Sequence, residues 1–186
     1  MAIVVIGGQA RNVGKTGVVC GLIAALPERR WTAIKISQHG HGVAVLEERD
    51  ATTGTDSARY LAAGAARAFW VSADEGQLAE AMPHVRAAMK GAENVILESN
   101  SILEFVRPDL YAVVLAPAMA DFKGSALRYL ERANALVVLG GTGTQDWKGV
   151  SLPEIEHIRG FRVDPSSYTS AEFTAFVEQK LERVGR

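Results

Sequence analysis

Cysteine is all but absent from this chain of 186 residues: Cys20 stands alone, so no internal disulfide can staple the fold, and it reads as a small residue on the apolar side of a helix. A surplus of either charge is lacking too. Lysine and arginine number 20 against 21 aspartates and glutamates, interspersed along the chain, so no basic block offers a footprint for nucleic acid. Apolar runs are short. The N-terminal one, Ile3 to Ile6, has no basic residues before it and is interrupted by Gln9 to Arg11, too early for a membrane span or secretory leader, and the expected location is the cytoplasm. Histidine is sparse: His39 and His41 share a loop, His84 and His157 lie far along the chain, and none completes a zinc-ligand spacing. Internal repeats, low-complexity tracts and Pro/Ser-rich linkers are missing. These absences leave a single domain over residues 1–186, long enough to bury its own core.

What is present is concentrated at the N-terminus. Ala2-Ile-Val-Val-Ile-Gly-Gly-Gln-Ala-Arg-Asn-Val-Gly-Lys-Thr-Gly reads as a buried strand, a loop and a helix start, and Val18, Val19, Leu22, Ile23 and Leu26 continue at helical spacing up to Pro27. A phosphate chain needs several backbone N–H groups turned into one concavity, a helix N-terminus behind it, a cation, and a hydroxyl for magnesium. Gly14 permits close backbone approach, Lys15 can reach β/γ phosphates, and Thr16 can ligate Mg²⁺. The full pattern G-x-x-x-x-G-K-[ST] asks for glycine where Gln9 stands; Gly7 and Gly8 are expected to let the chain turn out of the strand instead. The candidate nucleotide contacts are therefore Gln9, Arg11, Asn12, Val13, Gly14, Lys15, Thr16 and Gly17.

Trp31 to Ser37 reads as a second strand with Lys35 between Ile34 and Ile36. In a sheet buried on both faces that lysine is either a phosphate or substrate contact at the strand's carboxyl end or an edge-strand residue facing water. The Gln38 to Gly42 loop offers His39 and His41 to an anionic group or to solvent. Thr55-Asp56-Ser57 precedes a helix expected over residues 57–66, and Asp56 is either its N-cap or a magnesium-shell carboxylate. Phe69 to Ala73 predicts a strand, and a helix bearing Leu78, Met82, Val85 and Met89 follows, which Pro83 should kink or divide. Asn94-Val-Ile-Leu-Glu ends in a carboxylate at the ligand edge of the sheet, and Glu98 is a candidate for holding magnesium. Strands are expected over 109–117, 135–139 and from Phe161, with a helix around 126–133. Gly140 to Thr144 suits backbone approach to a base or ribose but does not supply Asn-Lys-x-Asp, so GTP and ATP both remain open. Thr169 with Glu172 predicts a capping box for a final helix through Phe173, Phe176, Val177 and Leu181.

Strands alternating with helices predict an α/β fold: three layers around a doubly wound, mainly parallel sheet. Its ligand edge would gather Lys15, Thr16, Lys35, Asp56 and Glu98, with Lys15, Asp56 and Glu98 as catalytic groups and Thr16, Asp56 and Glu98 as metal ligands.

Gly14-Lys15-Thr16, the strand ending near Lys35 with its His-containing loop, Asp56-Ser-Ala-Arg-Tyr-Leu-Ala-Ala-Gly-Ala, and the strand ending at Glu98 resemble molybdopterin-guanine dinucleotide biosynthesis protein B. That family belongs to a class of P-loop nucleotide-binding proteins shared with dethiobiotin synthetase. The resemblance covers about the first two thirds of the chain. It implies a P-loop fold, Mg²⁺ with GTP, weak hydrolysis, and assistance to a partner protein of molybdenum cofactor biosynthesis. By the same resemblance Thr16, Asp56 and Glu98 hold magnesium, and a homodimer across the nucleotide edge is implied. The chain departs from the class in having Ser99-Asn100 after Glu98 and Ala10 where some relatives carry a second loop lysine, with Arg11 beside it as a candidate phosphate contact. Two other functions stay open. One is an ATP-dependent carboxylate-activating ligase or small-molecule kinase, with Lys35, His39 and His41 binding an acidic acceptor; the other is a nucleotide-gated adaptor.

Overall fold

The structure, a computed structural model, describes residues 1–38, 42–74, 76–140, 147, 149–150 and 155–183. Eight strands among these residues form one sheet: β1 (Ala2–Gly8), β2 (Trp31–Ser37), β3 (Ala44–Glu48), β4 (Arg67–Ser72), β5 (Asn94–Glu98), β6 (Leu110–Leu115), β7 (Ala135–Leu139) and β8 (Arg159–Val163). Their order is β3-β4-β2-β5-β1-β6-β7-β8, and every pairing is parallel except β3 with β4. The central strands β1, β5 and β6 are near-continuous Val, Ile and Leu because both of their faces are covered.

The helices are α1 (Lys15–Ala25), α2 (Asp56–Ala62), α3 (Leu78–Met89), the one-turn α4 (Gly124–Leu127) and α5 (Ala171–Glu182). One face of the sheet packs Val4, Ile6, Ala33, Ile96, Ala112 and Val114 with Val18, Val19, Leu22 and Ile23 of α1 and Phe173 and Val177 of α5. The other packs Val5, Ile34, Leu97 and Val113 with Leu78, Met82, Val85 and Met89 of α3. Each large apolar side chain buried this way contributes about 1.5–3 kcal/mol, so α1 is fixed by packing more than by its own helix propensity.

The chain runs from β1 to β2 on one side of the sheet and from β5 across β1 to β6 on the other, so the direction of winding reverses beside β1. A crevice forms outside the carboxyl ends at such a reversal. Register then sets what lines it: Lys35 of β2 lies opposite Glu98 of β5 and Trp70 of β4, and Leu46 of β3 lies opposite Trp70. Leu46, Trp70, Lys35 and Glu98 therefore form one row along one face of the sheet.

Several expectations are corrected. The segment after β2 contains an antiparallel edge strand, Ala44–Glu48, whose outer positions Val45 and Leu46 are 40% and 52% exposed and so carry no clean inside-outside alternation. Pro83 does not divide α3, which runs unbroken from Leu78 to Met89. Helix α2 ends at Ala62, short of residue 66, and Gly64 follows with φ 104°. The cap of α5 is Ser170, whose Oγ accepts from the Phe173 N–H at 3.3 Å, instead of Thr169. The stretch expected as a helix around 126–133 is α4 followed by a 3₁₀ turn at Leu130–Arg132.

Candidate functional site

The loop between β1 and α1 places Gly14 at the helix N-cap with φ 99°, a backbone that disfavours any side chain. A Cβ there would also come within 2.3 Å of the Leu139 side chain. The first N–H groups of α1 have no intrahelical acceptors, as at any helix start, and Gly14 to Gly17 line the crevice. Gly7 and Gly8 do not form the turn, since both belong to β1; their missing side chains make room for Asn100 and Lys15. Asn100 accepts from the Gly8 N–H and donates to the Gly8 carbonyl, both at 2.8 Å, continuing the sheet by a side chain.

Gln9 is fully buried and spoken for by the fold. Its Nε2 donates to the Met119 carbonyl at 2.6 Å and more weakly to that of Asp121 at 3.3 Å, and its Oε1 accepts from the Ala116 N–H at 3.1 Å. Its own N–H and carbonyl bond Val114 and Lys123. The side chain therefore turns away from the crevice and anchors the segment after β6, a role opposite to the expected nucleotide contact. Val13 is buried too, leaving its backbone as what it can offer. Arg11 and Asn12 are exposed at the crevice, and Asn12 has φ 58°.

Lys15 folds back so that Nζ donates to the Ala10 carbonyl at 2.9 Å. Burial lowers its pKa from 10.5 to about 8; Glu98 and Asp56 act in the opposite direction, Lys35 and Lys123 in the same. No carboxylate among the described residues forms an ion pair with it. Next to it, Glu98, 2% exposed, accepts from Thr16 Oγ1 at 2.8 Å and from the Tyr60 hydroxyl, and is paired with the Lys35 ammonium. Lys35 also reaches Asp56 Oδ2 at 3.0 Å and Thr16 Oγ1 at 3.4 Å. Asp56 has been released for this by its neighbour: Thr55 is the N-cap of α2, accepting from the Ala58 N–H at 3.0 Å. Arg59, one turn on, lies 3.6 Å from the other Asp56 oxygen.

Thr16, Asp56 and Glu98, far apart in the sequence, thus meet around one cationic centre. Two carboxylates and a hydroxyl are an all-oxygen donor set that fits magnesium, which takes the rest of its shell from phosphate and water. Among the described residues there is no cluster of three His, Cys, Asp or Glu that would form a metal cage by itself. Lys35 is not an edge-strand lysine, because β2 lies between β4 and β5.

These groups line a cavity of about 1480 Å³. Beyond Lys35 it continues over Ser37, Gln38, Leu46, Trp70, Leu78 and Phe105; beside the loop it is closed by Tyr168. A Cβ on Gly17 would come within 2.4–2.6 Å of the Tyr168 ring, so Gly17 is what lets that ring lie on the first turn of α1. Tyr60, Asn100 and Tyr168 were missed by sequence reasoning. Tyr60 reads as an apolar helix position, and its burial could be foreseen from the helical period but its carboxylate partner could not. Tyr168 has φ 56° in a turn held by Asp164, a signal invisible in the sequence. Cys20 packs against the core, half-buried, its thiol pushed up to about 11 by burial. His39 and His41, and the stretch from residue 141 to 144, lie outside the described residues.

No protein-family model matches the chain, and no curated protein matches it. Solved structures do. LpxK from Aquifex aeolicus in complex with ATP superposes with TM-score 0.53 at 16% identity, covering 87% of this chain and 53% of LpxK. HypB from Helicobacter pylori in complex with nickel gives 0.54 at 15% identity, over 98% of this chain and 88% of HypB. The signal recognition particle 54 kDa protein from Aeropyrum pernix K1 in complex with GDP gives 0.50 at 20%, over 99% of this chain and 49% of that one. The chain spans about half the length of LpxK and of the signal recognition particle protein. At these identities the likeness is one of fold: the chain has the α/β P-loop fold, a mainly parallel sheet with helices on both faces.

Proposed function

We propose that the protein binds a magnesium nucleoside triphosphate and hydrolyses it slowly. The observation that carries this reading is the convergence of Gly14, Lys15 and Thr16 at the N-terminus of α1 with Asp56 and Glu98 in one cavity. The loop amides and Lys15 hold the β and γ phosphates and stabilise the charge that moves onto their oxygens. Arg11 and Asn12 approach the same oxygens from the exposed side of the loop. Thr16, Asp56 and Glu98 would hold magnesium, which when bound supplies charge neutralisation across the phosphates. Asp56, the more exposed carboxylate, also orients the attacking water, and Tyr60 keeps Glu98 in place. The nucleoside lies against Tyr168, which lines the cavity beside the loop.

The resemblance to molybdopterin-guanine dinucleotide biosynthesis protein B makes GTP the nucleotide and assistance to a molybdenum cofactor protein the role. The position of Asp56-Ser-Ala-Arg at the site supports it. Calorimetric titration with non-hydrolysable GTP and ATP analogues, with and without Mg²⁺ and with Glu98→Gln alongside, tests the whole reading. Magnesium-dependent binding weakened in the variant is expected, with GTP preferred; no binding of either analogue rejects it.

The length of the cavity favours one second reading, a ligase or kinase with an acidic acceptor. Ordinary ligand pockets hold about 300–1,000 Å³, and this one runs on past Lys35 to Trp70 and Leu46. That reading requires a carboxylated metabolite that accelerates nucleotide turnover well above the basal rate.

A further inference from the structure

Three oxygens that fit magnesium surround an ammonium. Lys35 Nζ is paired with Glu98 Oε1, lies 3.0 Å from Asp56 Oδ2 and 3.4 Å from Thr16 Oγ1, and so spends its three donors on the very groups that would ligate the metal. Glu98 is 2% exposed, and a carboxylate buried that deeply needs a cation beside it in every state of the protein. The two cations are mutually exclusive. Magnesium bound by these oxygens at about 2.0–2.1 Å occupies the volume the ammonium now fills, and two positive charges at that separation repel strongly in a partly desolvated site.

We propose that Lys35 is a resident counter-cation that magnesium replaces, and that the released ammonium then binds an anionic group, either the γ-phosphate of a nucleoside triphosphate or the acid group of a second substrate. The side chain has places to go. It lies in the row between Glu98 and Trp70, so a swing one way reaches the phosphates held by Lys15, and a swing the other way reaches the part of the cavity walled by Trp70 and Leu46. An anion-binding lysine is thereby made available only after the metal has arrived, which orders the binding events. The exchange itself stands on the cluster alone; the destination of the ammonium rests on the nucleotide reading.

The test separates the two. Lys35→Met leaves Asp56 and Glu98 without their cation, so MgCl₂ without nucleotide should raise the unfolding midpoint of the variant by about 3 °C or more. The parent should not respond beyond an ionic-strength control. Equal responses of parent and variant overturn the exchange, whether or not nucleotide binds. Should the variant not fold, labelling of the parent by an amine-acetylating reagent, read by peptide mass spectrometry, asks the same question. Lys35 should be shielded in metal-free protein, become labelled with Mg·GDP, and be shielded again on adding EDTA; labelling unchanged by Mg·GDP, once calorimetry has shown that the complex forms, overturns the proposal. Renewed shielding with the non-hydrolysable triphosphate identifies the terminal phosphate as the new partner. Persistent labelling, abolished only when an acidic acceptor is added, identifies the second substrate.

Discussion

Two lysines enter one cavity from neighbouring parts of the fold and are held in opposite ways. Lys15, the first residue of α1, is desolvated against a neutral carbonyl, and its pKa falls to about 8. Lys35, on β2, sits among carboxylates and a hydroxyl. The start of α1 therefore carries an unmet positive charge while the strand-end cluster is satisfied internally. On the proposed nucleotide reading, an incoming polyphosphate would gain most at Lys15, and the cluster would yield only to another cation.

The largest effect that would break this contrast is at Lys15. Lys15→Ala should weaken binding of a non-hydrolysable triphosphate by a hundredfold or more, about 3 kcal/mol, because a desolvated charge pair is lost. Unchanged affinity by calorimetry would sink the assignment of the loop. Next comes Gln9, which separates anchoring from binding. Gln9→Gly restores the usual loop glycine but leaves the Ala116 N–H and the Met119 carbonyl without partners, so urea denaturation should show a loss of about 2–3 kcal/mol with no tightening for nucleotide. A variant that binds better and unfolds no more easily would return Gln9 to the phosphate site.

The smallest effect is on pH dependence. Because the Lys15 pKa is lower in the folded chain than the ordinary 10.5, the unfolded chain binds the proton more tightly between those values. Stability of the nucleotide-free protein should therefore rise as pH goes from about 8 towards 10.5, against the general alkaline trend. The gain is about 1–2 kcal/mol once solvent screening of a partly exposed group is allowed for. Lys15→Met should abolish that rise, and bound nucleotide, by pairing the ammonium, should flatten it. A parent whose stability falls monotonically and in parallel with Lys15→Met above pH 8 would show that Lys15 is solvated after all.

Much of the architecture was legible in advance for a simple reason. Strands buried on both faces must be apolar throughout, and α3 and α5 must show a 3.6-residue apolar period; both patterns are local. The short edge strand β3 was not legible. Ala44–Glu48 has one neighbour, and its consecutive residues Ala44, Val45 and Leu46 are exposed on both faces, so it answers to no strict alternation, and its pairing with β4 is a contact between distant segments. Within the site, Gly14, Lys15 and Thr16 were readable because their spacing is itself the geometry. Lys35 and Glu98 were readable as strand-end residues, but not as partners, since that depends on β2 and β5 being neighbours in register. Asp56 had two readings until Thr55 took the cap.

The sequence by itself determined the strand-loop-helix start with Gly14 at the turn, the alternation of strand and helix, and the crevice at the carboxyl ends, because these follow from periodicity and from glycine where no side chain fits. Only the tertiary structure decided that Gln9 is an anchor, that Tyr60 and Asn100 brace the site, and that a lysine stands where Thr16, Asp56 and Glu98 converge. Each of those depends on which strands lie side by side and in what register, which emerges when every apolar face is buried at once and is written in no single stretch of the chain.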